Sequence, residues 1–228
     1  MDAVFSDFDE YAKAFGVTCG LFLVAGLGSL IWGTFLAALR VGPVAVMRKA
    51  AAAYVGVFRN TPLLIVFIFV AVGLPKIGYS FTFIERVEIG GYNVSGYFFR
   101  ACIALTLYTS AFVCEAVRSG INAVPIGQAE AARSIGLTFS QSMREVVLPQ
   151  AVRAVVPPLA SVQVALMKNT SVAAAFGITE ATAQMRVLNN DHADQRVQIF
   201  MLVAIGYIVL VEAITLSSYA LERRWRVA

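Results

Sequence analysis

The sequence predicts an all-α, polytopic membrane protein that forms a single transmembrane domain over residues 1–228. Composition is the first reason, because 59% of the residues are hydrophobic and only 14% are charged. Soluble domains usually carry about 25% charged residues. The mean hydropathy of +0.74 is the second reason. The third is that several segments approach the roughly 20 apolar residues that a helix needs to cross a bilayer.

Five candidate transmembrane helices follow in order, at residues 14–39, 50–74, 97–117, 150–174 and 199–221. The first, third and fifth are nearly uninterrupted apolar runs. Polar residues interrupt the second span ahead of Pro62 and the fourth span after Pro157 and Pro158. Polar groups at membrane depth are tolerated only against protein or water. We therefore expect both interruptions to face the interior of the helix bundle.

The residues before the first span have a pattern of their own. Phe5, Phe8, Ala12 and Phe15 recur at helical spacing, which predicts a short amphipathic segment on the membrane surface. Acidic residues precede the first basic residue, Lys13. This order is the opposite of a secretory signal, so we expect no cleavage.

Basic residues are distributed unevenly between the two sides of the predicted spans. The connections after the first and third spans and the C-terminal tail contain ten: Arg40, Arg48, Lys49, Arg118, Arg133, Arg144, Arg153, Arg223, Arg224 and Arg226. The N-terminus and the other connections contain five: Lys13, Lys76, Arg86, Arg186 and Arg196. The positive-inside rule therefore predicts a cell-membrane protein, embedded in lipid, with its N-terminus outside and its C-terminus in the cytoplasm. This asymmetry accounts for the net charge of +4 without a nucleic-acid partner.

A polar stretch on the predicted cytoplasmic side, residues 125–136, has the boundaries of a short helix. Pro125 suits the first helical position, and Gly136 suits the left-handed residue that follows a helix. Thr138 and Gln141 then have capping-box spacing, which predicts a second helix that runs to Pro149.

The side chains of this stretch suit a docking helix. Ala132 and Gly136 lie four residues apart, so we expect a partner backbone to approach that side, while Glu130 and Arg133 are available for polar contacts. On spacing alone, an ordinary solvated loop with helical content is an equal alternative.

The order Glu130-Ala131-Ala132, Gly136, Leu148-Pro149 resembles the EAA signature of ABC importer permeases. In that signature EAA is followed by three residues, G, nine residues, I, one residue and LP. Only the Ile position differs, because Val146 occupies it. In the family this helix is the coupling helix that inserts into the nucleotide-binding subunit. The resemblance implies a type I importer permease whose coupling residues are Glu130, Ala131, Ala132, Arg133 and Gly136.

Longer segments are similar to polar amino-acid permeases of the histidine, glutamine and glutamate type. They are FRNTPLL at 58–64, LYTSAFVCEAVRSGIN at 107–122, GQAEAARSIGL at 127–137, LPQAVRAVVPPL at 148–159 and LMKNTSVAAAFGITE at 166–180. The RNTP at 59–62 and the NDHA at 190–193 are most similar to actinobacterial glutamate permeases.

The resemblance also implies partners. They are a pair of ABC ATPase subunits, a second permease subunit that is the same or a related chain, and an extracytoplasmic substrate-binding protein. The chain has no P-loop motif GxxxxGK[ST], so we expect ATP and magnesium to be used by the partner ATPase and no cofactor to be bound by this chain. It also lacks GxSxG, HExxH and zinc-ligand spacing, which predicts neither an enzyme nor a metal site.

Polar residues within the spans form the predicted substrate pathway: Arg59, Asn60, Thr61, Glu115, Lys168, Asn169, Thr170 and Ser171. A charge at a helix centre costs roughly 2.5 to 3.5 kcal/mol on insertion scales, so such residues should face a cavity. Arg59 follows Lys49 by ten residues, which places it about 15 Å into the membrane if the segment is helical. Thr61 and Pro62 resemble a helix cap and first turn, which predicts a half-helix N-terminus in the same cavity.

These polar residues have structural interpretations as well. Arg59 and Lys168 are alternatively members of ion pairs with Glu115 or Glu180, because buried charges in membranes are usually matched. Glu212 is interpreted as a packing or interface residue. Tyr108, Thr109 and Ser110 suit hydrogen bonds between helices as well as they suit substrate contacts.

Together these features predict the permease subunit of an ATP-driven importer of a polar amino acid. Glutamate is favoured by the resemblance and because the cations Arg59, Arg100 and Lys168 outnumber Glu115 and Glu212 in and near the spans. The alternatives are a self-contained channel or secondary carrier, a non-transporting membrane subunit, or a permease for another amino acid such as glutamine or arginine.

Overall fold

The computed structural model describes residues 8–79, 87–89, 92–94 and 96–225. These residues form eight helices: α1 (Phe8–Val41), α2 (Ala45–Asn60), α3 (Leu63–Lys76), α4 (Gly96–Asn122), α5 (Ile126–Ser134), α6 (Phe139–Phe176), α7 (Ala181–Asp191) and α8 (Arg196–Trp225). A small hairpin between α3 and α4 pairs β1 (Val87–Ile89) antiparallel to β2 (Tyr92–Val94), with Glu88 opposite Asn93. The predicted all-α, polytopic class is confirmed, with this hairpin as an addition that the sequence analysis did not predict.

Four helices in the described part of the chain are long and apolar enough to cross a membrane. They are Phe8–Val41, Gly96–Asn122, Phe139–Phe176 and Ala193–Arg223, the last of which includes a 3₁₀ turn ahead of α8. A fifth span exists only if α2 and α3 are counted together, and these two helices meet at a bend of 106°.

The bend between α2 and α3 has a local cause. Thr61 has φ −100° and ψ 130°, the extended conformation that a following proline imposes on its neighbour. Helix α2 therefore ends at Asn60, and α3 begins after Pro62. The prediction that Thr61 caps α3 is wrong, because its hydroxyl donates backwards to the Val57 carbonyl oxygen at 2.8 Å.

The N-terminal residues do not form a separate surface segment. Phe8 and Phe15 belong to the single 34-residue helix α1, so the predicted break before the first span is wrong for the described residues; Phe5 lies outside them. Phe15 packs against Gly206 of α8, and Tyr11 donates a hydrogen bond to the Leu202 carbonyl oxygen at 3.0 Å. These contacts with α8 keep the start of α1 in the bundle.

Helices α1, α4 and α6 form the centre of the bundle. Leu21, Leu105 and Leu166, one from each helix, are completely buried in one apolar cluster. The approach of α4 to α6 is close enough to need glycine at position 120, since a Cβ there would collide with Val155 and lie 3.1 Å from the Ala151 carbonyl oxygen.

Helix α8 lies at the edge of the bundle, where it packs mainly on α6 and α7.

The cysteines of the spans are free thiols, with Cys102 and Cys114 buried and Cys19 half-buried. Buried free cysteines pack as small apolar residues.

Candidate functional site

The structure confirms a short helix at the EAA stretch. Helix α5 covers Ile126–Ser134, inside the predicted range 125–136. Pro125 immediately precedes the first helical residue rather than occupying it. Gly136 has φ +90°, the left-handed conformation predicted after the helix. The Gly136 N–H donates to the Arg133 carbonyl oxygen at 2.9 Å, and the Leu137 N–H to that of Ala132 at 3.1 Å, which closes the helix end.

The exposed face of α5 differs from the predicted one. Ala132 is only 4% exposed and packs inside its own chain, so the expectation that a partner approaches over Ala132 is wrong. Glu130, Ala131, Arg133 and Gly136 are exposed, as a docking surface requires.

The most exposed apolar residues of α5 lie at its ends. Ile126 is 74% exposed and Ile135 is 78% exposed. Both side chains are therefore accessible to a partner protein that docks on α5. Neither isoleucine was among the predicted coupling residues, although an aliphatic residue in a polar stretch could have indicated a contact site.

Helix α5 continues through a short turn into α6, the longest helix among the described residues. The capping box is confirmed: Thr138 and Gln141 exchange side-chain and backbone hydrogen bonds at 2.9 and 3.3 Å. The prediction that this helix ends at Pro149 is wrong. A π-helical turn, Ser142–Val147, precedes Pro149, and its wider hydrogen-bond spacing accommodates a residue that has no N–H. Helix α6 therefore extends without a break from the turn after α5 through the fourth candidate span.

Three arginines from different helices surround one carboxylate inside the bundle, here called the Glu115 cluster. Glu115 of α4 contacts Arg40 near the end of α1, Arg118 of α4 at 3.0 Å and Arg59 of α2 at 3.7 Å. The interpretation of Arg59 as an ion-pair residue is thus supported. Arg59 remains 47% exposed, and its guanidinium carbon lies 5.8 Å from the Phe112 ring centroid. Three cations against one anion leave the cluster with surplus positive charge.

The Glu115 cluster changes the predicted depth of Arg59. The carboxylate oxygen that Arg59 contacts is the one that Arg40 contacts, and Arg40 is the second-last residue of α1. Glu115 lies seven residues before Asn122, about 10 Å from the end of α4. Along α2, Arg59 lies about 15 Å beyond Lys49, and its contact with Glu115 places it close to the ends of α1 and α4.

The other predicted pathway residues in this region bond to their own helix. Asn60 donates to the Gly56 carbonyl oxygen at 2.8 Å, as Thr61 does to Val57. Between helices, the Tyr54 hydroxyl lies 2.9 Å from both the Ser110 hydroxyl and the Leu107 carbonyl oxygen. This supports the interpretation of Ser110 as a residue that joins helices.

The residues 168–171, here called the Lys168 segment, lie where α6 changes from α-helix to 3₁₀-helix at Thr170. Thr170 is buried and donates to the Met167 carbonyl oxygen at 2.7 Å, and Ser171 donates to that of Lys168 at 2.8 Å. Asn169 is half-buried. Lys168 is exposed and forms no ion pair within the described ranges. No ion pair or hydrogen bond among these residues links the segment to the Glu115 cluster.

Glu180 occupies a different environment from the predicted ion pair with Lys168. It is fully buried and caps α7, with its carboxylate accepting from the Ala183 N–H at 3.0 Å and from the Tyr207 hydroxyl at 2.7 Å. Burial raises the pKa of the Glu180 carboxyl above its ordinary value. The Ala181 N–H donates to the Thr18 hydroxyl at 3.1 Å, so α1, α7 and α8 meet here. Sequence reasoning missed this junction, although Thr18 and Tyr207 were visible as polar residues in apolar spans.

A family comparison matches most of the chain. Residues 29–227 match the model of the binding-protein-dependent transport system inner membrane component. The glutamate transport system permease protein GluC of Corynebacterium efficiens is 42% identical over 197 residues, which cover 86% of each chain. The probable glutamine ABC transporter permease protein GlnM of Bacillus subtilis is 32% identical, over 97% of this chain and 95% of that protein.

A solved structure has the same fold. The chain aligns with the crystal structure of an amino acid ABC transporter with histidines at a TM-score of 0.82 and 26% identity, over 97% of this chain and 96% of that chain. The alignment includes all five predicted span regions and the EAA stretch within one fold.

Proposed function

The chain belongs to the family of binding-protein-dependent transport system inner membrane components, and from this we infer that it is the multi-pass permease subunit of an ABC importer for polar amino acids. The observation that carries this function is the EAA helix α5, which is largely exposed and is joined to α6 by a short turn. Such a helix offers a mechanical connection from a partner to the membrane domain. A self-contained channel or carrier has no use for it.

Glutamate is the proposed substrate. The 42% identical relative is a glutamate permease, whereas the glutamine permease of Bacillus subtilis is 32% identical. The surplus positive charge of the Glu115 cluster supports the same choice, because it favours a substrate with more carboxylates than amines. Glutamine and arginine are the comparisons that any uptake experiment must include.

The proposed assembly has the partners that the resemblance implies. Two ABC ATPase subunits bind α5 and use ATP and magnesium, while this chain holds no cofactor and catalyses no reaction. A second permease subunit completes the path, and an extracytoplasmic binding protein delivers the amino acid. In the proposed orientation the N-terminus is outside and the C-terminus is cytoplasmic, which places α5 beside the ATPases.

Arg59 is the proposed carboxylate ligand. Its contact with Glu115 is the longest in the cluster, and it is the most exposed of the three arginines, at 47% against 39% for Arg118 and 16% for Arg40. A substrate carboxylate can therefore take Arg59 from Glu115 while the other two arginines keep Glu115 neutralised. The planar guanidinium binds both carboxylate oxygens, which a lysine ammonium cannot do. Asn169, Thr170 and Ser171 of the Lys168 segment are proposed as a second, separate part of the pathway.

Uptake by reconstituted transporter tests these proposals. The wild type is expected to take up labelled glutamate in preference to glutamine and arginine, and only with ATP. Arg59→Ala is expected to reduce glutamate uptake at least tenfold, because a charge-assisted hydrogen bond contributes about 1.5 to 3 kcal/mol. Arg59→Lys should restore only part of it.

Arg48→Ala is the matched control, since Arg48 is on the same helix and, among the described residues, bonds to the Gly42 and Pro43 carbonyl oxygens alone, at 2.9 and 2.7 Å. It should leave uptake unchanged. Full glutamate uptake by both Arg59 variants would remove the ligand role, and preferred arginine uptake by the wild type would remove the substrate assignment. ATP-independent uptake would remove the importer function itself.

A further inference from the structure

Glu212 is a charged residue on the exposed side of a membrane-spanning helix. The span Ala193–Arg223 has a mean hydropathy of 2.5, and only 11% of its most apolar window is buried inside the chain. Glu212 follows Arg196 by 16 residues and precedes Arg223 by 11, or about 24 and 16 Å along the helix. It therefore lies well inside the apolar part of the span.

The chain itself does not cover Glu212. Helix α8 packs on the bundle through Ile199 and Val203, which are 1% and 4% exposed. Glu212 lies nine residues after Val203, which is about 180° around the helix. Its side chain is exposed, and within the described residues it has no ion pair or hydrogen bond.

Two of the three possible surroundings fit this side chain poorly. A charge at the centre of a spanning helix costs roughly 2.5 to 3.5 kcal/mol on insertion scales, which disfavours lipid. A water-filled path is disfavoured by the neighbours of Glu212, because the exposed residues one and two turns away include the large hydrophobic Ile205, Ile208, Leu216 and Tyr219. Thr215, also exposed one turn away, donates its hydroxyl to the Val211 carbonyl oxygen of its own helix at 2.9 Å. A mainly apolar face with one charge suits another protein chain that supplies a single polar partner.

We propose that this face of α8 is the contact surface for a second permease subunit, which presents a cation to Glu212 within the membrane. The inference rests on the proposed function, which requires two membrane subunits. It adds the surface through which they meet and the charge that the surface must neutralise.

The chain offers an example of such a cation at a similar depth. Gly206 lies beside Phe15 of α1, so Glu212, six residues further along α8, is level with about residue 21 of α1. Gly26 lies beside Gln163 and Leu166 of the antiparallel α6, which places Lys168 level with about residue 24. The two depths differ by about 5 Å.

Lys168 is exposed and without an ion pair among the described residues, so a copy of it on a second subunit matches Glu212 in charge and in depth. Two-fold symmetry or pseudo-symmetry then produces the same contact twice. A related permease chain with a cation at this position provides the same complement.

Photocrosslinking in the complete transporter tests the contact. With benzoylphenylalanine in place of Leu216, which is 58% exposed one turn from Glu212 and leaves the carboxylate in place, we expect an adduct of two permease subunits, identified by mass spectrometry as a second copy or a related permease. The control position is 203, which is buried against the chain's own helices and should give no adduct between subunits. An adduct with lipid alone, or none between permease subunits in a transporter that takes up substrate, would overturn the proposal.

Substitution of Glu212 tests the need for its charge separately from the contact made by the surrounding apolar residues. Glu212→Leu is expected to reduce recovery of the second permease subunit at least tenfold on purification, whereas Glu212→Gln should lose less because its amide still accepts a hydrogen bond. Equal recovery with Glu212→Leu contradicts the need for a cation. ATP-driven uptake by the wild type is measured beside these variants, so that failure of the contact is distinguished from failure of the proposed function.

Discussion

One carboxylate joins three helices in this protein, and the geometry explains why the charges there are tolerated. Glu115 is only 24% exposed, and an isolated ion in such surroundings is costly. Arg40 and Arg118 neutralise it from α1 and α4, which leaves Arg59 of α2 as an additional cation. The ion pairs of Glu115 with Arg40 and Arg118 thus stabilise the packing of the helices. The remaining positive charge of Arg59 is what the proposed carboxylate binding uses.

The close packing at Gly120 gives a prediction for a single residue. Gly120→Ala is expected to destabilise the permease by about 1 to 3 kcal/mol, because the added methyl group collides with Val155. Gly127→Ala is the matched control, since Gly127 is in the exposed helix α5 with nothing within 4 Å of an added Cβ. It should be neutral or stabilise by up to about 1 kcal/mol. Thermal unfolding of both purified variants measures the difference, and equal melting temperatures would contradict the packing argument.

At the scale of the element, α6 is the structural link between the two halves of the candidate site. It runs from Phe139 beside the coupling helix to Phe176, past the Lys168 segment. Helix α5 packs against its π-helical turn and holds Ala132 there. In the proposed mechanism, a displacement of α5 is passed through this packing to α6, and through the glycine contact at position 120 to α4.

Ile135 provides the test of the docking surface. Ile135→Asp is expected to reduce retention of the ATPase subunits at least tenfold and to uncouple ATP hydrolysis from uptake, because apolar anchor residues commonly contribute 2 kcal/mol or more to an interface. The permease itself should remain folded, since Ile135 is 78% exposed. Gln128→Asp on the same helix is the control for added charge. Normal ATPase retention by Ile135→Asp would exclude this residue from the contact.

At the scale of the whole molecule, the charge distribution is the basis of the proposed orientation. The Glu115 cluster and α5 lie towards the side that carries the excess of basic residues, while α7 and the hairpin lie in the other connections. The proposed orientation thus places α5 on the cytoplasmic side and α7 and the hairpin on the outer side.

Cysteine labelling checks this orientation. In a variant with Cys19, Cys102 and Cys114 replaced by alanine, a cysteine at Asp191 is expected to react with a membrane-impermeant maleimide in intact cells. A cysteine at Gln128 should react only after lysis. Both positions are exposed, so access to them depends on the side of the membrane. Labelling of position 128 in intact cells would reverse the orientation.

The sequence by itself determined the features that depend on neighbours along the chain. The apolar runs located α4 and α8 to within a few residues, and the capping box at Thr138 and the left-handed Gly136 were correctly predicted. These signals work because a helix is closed by hydrogen bonds between residues three to five apart. The EAA spacing, which indicated the family, is likewise a pattern of residues within one short stretch of the chain.

Only the tertiary structure decided which side chains meet. Arg59 shares an oxygen of Glu115 with Arg40, Ala132 faces its own chain, Glu180 binds Tyr207 rather than Lys168, and Glu212 is left uncovered. None of these follows from spacing, because each depends on the angle at which one helix crosses another. The bend at Thr61 is a local effect of Pro62, but the position of Arg59 is set by the packing of α2 against α1 and α4.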